Sequence, residues 1–170
     1  MDKVLSKDGT AIAFDQSGKG EPVIFEPPFM VGDSGHRPPP DHEAYLARLV
    51  SEGRRSDAVR FFMAKVIGMP TIVVAAFRFL PMWSRLKAVA NTLPYDAAIM
   101  GDYSLPMKRA ASVTIPTLVI GGEKSPAVLR RSANELAGVL PYARHRTLEG
   151  QTHNVAPKVL APVLKEFFEG

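Results

Sequence analysis

The last third of the chain alternates between two kinds of segment, and this alternation most restricts the fold. Residues 113–120 form an apolar, β-rich run closed by Gly121-Gly122, and Ser125-Pro126 then opens a helical pattern with Val128, Leu129, Leu136 and Val139 apolar. Residues 142–148 read as a further strand, and Pro157 opens a last helix with Val159, Leu160, Val163, Leu164 and Phe167 apolar. Strand, helix, strand, helix at this spacing is a βαβ pattern, which demands a parallel sheet. The whole chain has 170 residues, a length that suits one domain spanning 1–170.

The first third predicts short strands. Val4-Leu5-Ser6 leads into the turn signal Lys7-Asp8-Gly9-Thr10 and then Ala11-Ile12-Ala13-Phe14, the pattern of an N-terminal strand hairpin. Residues 16–20 are a second turn, and Pro22-Val23-Ile24-Phe25 is an unalternating apolar run of the kind buried on both sheet faces. Pro27-Pro28 end it, since proline cannot donate to a ladder. A loop over 32–40 follows, and then an all-helical insert over 41–101. Asp41 suits an N-cap for the first helix, and Ser56 for a second carrying Val59, Phe62, Met63, Val66 and Ile67. Pro70, Pro81 and Pro94 stand where further helices begin, because a first turn tolerates proline.

Several classes of function fall away on composition. The apolar share of 46% and charged share of 22% belong to a chain with a real core. There is no cysteine, hence no disulfide, thiolate metal site or cysteine nucleophile. The net charge of +4 is scattered, with Arg54-Arg55 and Arg130-Arg131 as isolated pairs, so a nucleic-acid partner is not expected. The longest uncharged apolar stretch runs over 66–77 and is too short to span a membrane. With no apolar leader after Met1-Asp2-Lys3-Val4, a cytoplasmic location is the default expectation.

Chemistry concentrates at the strand ends. Glu149-Gly150-Gln151-Thr152-His153-Asn154 lies between the last strand and the last helix. Ligands of parallel sheets bind beyond the carboxyl ends of the strands, where a loop histidine is placed for general-base work. An ordinary loop histidine at the surface fits the same position. Glu26 ends an apolar strand ahead of two prolines. A carboxylate held there can orient an imidazole, although a solvent-facing strand-end carboxylate fits too.

At these residues the chain resembles the α/β-hydrolase family. Lys7-Asp8-Gly9-Thr10 and Gly20-Glu21-Pro22-Val23-Ile24 look like that family's opening. Its second half is matched by Glu26-Pro27-Pro28-Phe29, the helical insert as its lid, Pro116-Thr117-Leu118-Val119-Ile120-Gly121-Gly122, Gly150-Gln151-Thr152-His153 and Leu164-Lys165-Glu166-Phe167-Phe168. The resemblance implies a truncated α/β-hydrolase-like parallel sheet. The family's central G-x-S-x-G nucleophile elbow is missing, because Ile24 runs directly into Phe25-Glu26-Pro27-Pro28. By the same resemblance His153 is the family's histidine. Ser125 stands where the usual acid would, so Glu26 takes the acid's role, with Glu123 as fallback.

The nucleophile is then open between water and Ser34, which sits in Gly32-Asp33-Ser34-Gly35-His36, a near match to the elbow pattern but followed by three prolines. Ser125 at a helix start reads as an N-cap, and Ser104 and Ser112 have no distinguishing context. His36, Asp41, His42 and Glu43 lie close enough to suggest a metal, yet their spacing fits no metal motif, and no cofactor is expected. Phe29, Met63 and Trp83 are candidates for an apolar substrate wall, although residues at such spacing are more often core. Loss of central strands exposes sheet edges, which predicts a homodimer, with exchange of swapped elements as one form of it. The function expected is hydrolysis of small esters or related activated substrates. The alternative is a non-catalytic relic of such a fold serving as a binding or scaffolding homo-oligomer.

Overall fold

The computed structural model describes residues 2–5, 11–14, 20–32 and 36–170. Strands β1 (Asp2–Leu5) and β2 (Ala11–Phe14) pair antiparallel, with Asp2 opposite Phe14 and Leu5 opposite Ala11. The main sheet is parallel and three-stranded, in the order β3 (Val23–Phe25), β4 (Thr117–Gly122), β5 (Ala143–Leu148). β4 starts at Thr117 rather than at 113, since Pro116 offers no N–H for a ladder.

Every residue of β4 is buried, and the pleat divides them between two layers. Val119 meets Ala133, Leu136 and Leu140 of α7 (Ala127–Val139) and the turn after it, with Ile24 packed alongside. Leu118 and Ile120 face the other way, onto Phe167, Val163 and Leu160 of α8 (Pro157–Glu169), with Val23 and Phe25 beside them. One helix therefore covers each face, as the unalternating strand patterns require.

Between β3 and β4 the chain is helical. α1 (His42–Ser51), α2 (Arg55–Phe61), α3 (Thr71–Phe77), α4 (Met82–Ala88), α5 (Leu93–Met100) and α6 (Met107–Ala111) follow in turn. Asp41 precedes α1 but makes no side-chain cap bond. Arg54, not Ser56, occupies the cap position of α2, and Ser56 lies inside its first turn. The helix expected to continue to Ile67 changes at Phe62 into a π-helical turn, Phe62–Val66. That turn ends with the Ile67 N–H bonded to the Phe62 carbonyl at 2.9 Å, and Ile67 is left exposed. His36 lies across its end, its Nε2 2.9 Å from the Lys65 carbonyl and 3.1 Å from that of Val66. The helices bury two clusters, one around Leu46, Leu49 and Val66, the other around Val59, Met63 and Trp83.

Candidate active site

The site is built where the three parallel strands end. The N–H of Glu26 donates to the Ile120 carbonyl at 2.9 Å, carrying the β3–β4 ladder one residue beyond Phe25. Glu26 then turns with φ +46°, a left-handed conformation that non-glycine residues seldom adopt and that tends to mark functional turns. The chain leaves through Pro27-Pro28, and the Phe29 N–H donates to the buried Ser132 hydroxyl of α7 at 3.2 Å. Helix and strand thus fix Glu26 from both sides.

The carboxylate of Glu26 is almost fully buried, at 3% exposure. Burial alone pushes a carboxyl up. Here hydrogen bonds from the Ser125 hydroxyl, the Gly122 N–H and His153, with the charge of a protonated His153, more than offset it, so Glu26 ionises below its ordinary 4.5. Oε1 accepts from the Gly122 N–H at 2.7 Å and from the Ser125 hydroxyl. Oε2 lies 2.6 Å from His153 Nδ1. The Phe25 ring stacks on the imidazole with centroids 6.1 Å apart and an interplanar angle of 29°. The His153 side chain is otherwise open, 60% exposed.

The loop that carries His153 is tied to the turn after β4. Gly150 at φ +68° begins it, and its N–H donates to Glu123 Oε2 at 2.7 Å. The Lys124 N–H donates to the Gln151 carbonyl at 2.8 Å, and Gln151 Oε1 accepts from the Ala156 N–H at 3.0 Å. A Cβ on Gly122 would lie 2.7 Å from both the Gln151 carbonyl oxygen and the Ser125 Oγ, so only glycine leaves room for this junction.

An Nδ1–H donated to this anion would leave Nε2 its lone pair, the arrangement a general base requires. Glu26 and His153, 127 positions apart, are brought together at the strand ends. Glu123, the fallback acid, instead closes the Gly150 turn. Ser125 is not the N-cap: Pro126 holds that position, and the serine hydroxyl goes to Glu26. Nothing in the Ser125-Pro126 pair revealed this, although Gly122 three residues earlier was the visible sign of crowding. Ser34 lies outside the described residues.

Phe29 packs against the β4–α7 cluster, while Met63 and Trp83 are core of the helical segment. The three do not share one wall. Ser112 bonds the Arg109 carbonyl and Ser104 bonds Asp102. His42 is buried, with Nδ1 2.7 Å from the Pro39 carbonyl. Among the described residues no three metal-ligand side chains converge.

Fold and site define a parallel α/β protein with an acid–imidazole pair at the carboxyl ends of its strands. A solved α/β-hydrolase from Sphaerobacter thermophilus is 53% identical over 85% of this chain and 56% of its own, with a TM-score of 0.72. More remote are a bromoperoxidase from Bacillus anthracis (15% identity, TM-score 0.46, 87% of this chain and 56% of that one) and a 2-hydroxy-6-oxo-6-phenylhexa-2,4-dienoate hydrolase from Rhodococcus (16%, 0.46, 89% and 56%). No protein-family model and no curated protein matches the chain. The chain carries a truncated form of the α/β-hydrolase fold. It spans a little over half the length of these three structures, and no G-x-S-x-G occurs in its 170 residues. Among the described residues, no helix is long and apolar enough to cross a membrane.

Proposed function

We propose that the chain hydrolyses small esters or related activated acyl compounds, with His153 as general base and Glu26 as its orienting anion. The observation that carries this is the 2.6 Å contact between His153 Nδ1 and a buried, triply hydrogen-bonded Glu26. His153 Nε2 takes a proton from the attacking group, which is water or the Ser34 hydroxyl, and returns it to the leaving alkoxide. Where Ser34 attacks, a water then displaces the acyl group from the serine by the same proton transfer and restores its hydroxyl. The buried carboxylate stabilises the imidazolium formed in between. A general base of this kind is worth about 10²–10⁴-fold. A site without the family's oxyanion loop forgoes about 10²–10³-fold, so turnover is slow.

Hydrolysis of p-nitrophenyl acetate tests the reading. His153→Ala is expected to lower the rate by about 10²-fold or more, and an unchanged rate removes His153 from the mechanism. A fluorophosphonate probe separates the nucleophiles, since labelling of Ser34 supports the serine and absence of labelling points to water or a metal-bound hydroxide.

A second reading, a non-catalytic relic that binds or scaffolds, is favoured by one observation. A cleft of about 390 Å³ lies between helices and is lined by Tyr45, Arg60, Phe61, Lys65, Val74 and Arg78, none of them in the strand-end turn that holds the pair. This reading predicts no turnover above buffer on any ester. In either case the sheet ends at β3, whose outer edge is unpaired among the described residues, and Ile72, Phe79 and Ile99 are exposed. Both features support a homodimer, with exchange of elements as one form of it. Light scattering at micromolar concentration checks it, and a clean monomer contradicts it.

A further inference from the structure

We propose that Ser125 is a positioning residue for His153, acting through Glu26: its hydroxyl fixes one carboxylate oxygen onto the turn after β4 and leaves the other for the imidazole. The inference rests on the general-base reading for its catalytic consequence, but not for its structural content.

Three observations carry it. First, the serine has no helix-capping task. Pro126 occupies the N-cap of α7, no side chain caps that helix, and the Ser125 hydroxyl bonds Glu26. Ser125 is only 4% exposed, and a buried hydroxyl needs an acceptor, which the carboxylate supplies. Second, the two carboxylate oxygens are divided. Oε1 takes both donors from the β4 turn, the Gly122 N–H and the Ser125 hydroxyl, and Oε2 faces His153 Nδ1. A carboxylate held through one oxygen by two donors of one turn resists rotation about its terminal bond, which aims Oε2 at His153. Third, the surroundings are shaped around that hydroxyl. Gly122 is a position where a Cβ would strike the Ser125 Oγ at 2.7 Å, while the Ser125 N–H returns to the Gly122 carbonyl at 3.1 Å. The serine, the glycine and the acid form one closed unit drawn from two neighbouring strand ends.

All the donors to Oε1 belong to the β4 turn, and Glu26 itself is anchored by the Ile120 carbonyl of the same strand. The acid's support therefore lies wholly within the part of the fold this chain contains. The other carboxylate of this junction, Glu123, is engaged by the Gly150 N–H, and the neighbouring Lys124 and Glu149 enter none of these bonds.

The test is carbon-13 NMR of the Glu26 carboxyl in the full chain, as a pH titration of wild type, Ser125→Ala and Ser125→Thr. Ser125→Ala is expected to raise the Glu26 titration by about one pH unit or more, a tenfold change in its ionisation. Ser125→Thr keeps the hydroxyl and should retain the wild-type value. A role confined to packing would lower thermal stability in the alanine variant without moving this titration, and that result overturns the proposal. Ser125→Cys, with a near-isosteric but weak donor, serves where the alanine variant does not fold. An intermediate titration supports the proposal, and a wild-type one overturns it. The readout needs no turnover, so failure here is separable from failure of the hydrolase reading, which the His153→Ala rate decides.

Discussion

A carboxylate with 3% exposure must either find donors or take up a proton. Glu26 finds two fixed donors and an imidazole, and so remains the anion of the pair. Glu26→Gln keeps the shape but supplies an NH₂ where one oxygen now accepts. It should cut ester hydrolysis roughly tenfold or more while leaving the fold intact by circular dichroism. Gly122→Ala places a methyl 2.7 Å from the Gln151 carbonyl oxygen and the Ser125 Oγ, and should cost about 1–3 kcal/mol in a denaturant melt. At this scale the sequence made two residues legible. Glu26 and His153 follow from one rule, that parallel strands present their chemistry at their carboxyl ends. Ser125 was hidden, because a serine before a helix has a cheaper explanation as a cap, and the left-handed turn at Glu26 leaves no trace in residue type.

Among the elements, α8 carries the clearest internal conflict. Pro162 lies within it and on its exposed side, where it removes one backbone donor from the helix. Pro162→Ala should stabilise the chain by about 1–3 kcal/mol, read as a higher melting temperature. Strand β4 and helices α7 and α8 were legible because their apolar patterns are long and their ends are marked by Gly121-Gly122, Pro126 and Pro157. The π-helical turn was not. Val59, Phe62, Met63, Val66 and Ile67 keep helical spacing on paper, yet one wider turn leaves Ile67 exposed while Val66 stays buried. The bonds that stabilise this turn's end come from His36, twenty-nine residues away from Lys65, and no local pattern reports them.

For the molecule as a whole, the pair sets a direction for acid sensitivity. The folded Glu26 ionises below its ordinary 4.5, so its contribution to stability is complete above that pH. It is lost as pH falls below 4.5 through the lower folded value. The melting temperature of wild type should therefore drop on acidification in that window, and the difference between wild type and Glu26→Gln should shrink there. A difference independent of pH contradicts the assignment. Set beside the α/β-hydrolase resemblance, the single residue between Ile24 and Glu26 leaves no room for a nucleophile elbow in that stretch.

All of this depends on the state of one imidazole. Nitrogen-15 NMR of His153 in the neutral ring reads that state directly. The account predicts a proton fixed on Nδ1, toward Glu26, and a bare Nε2, with the preference abolished in Glu26→Gln. A proton resident on Nε2, or the averaged pattern of a free histidine in the wild-type chain, would contradict it.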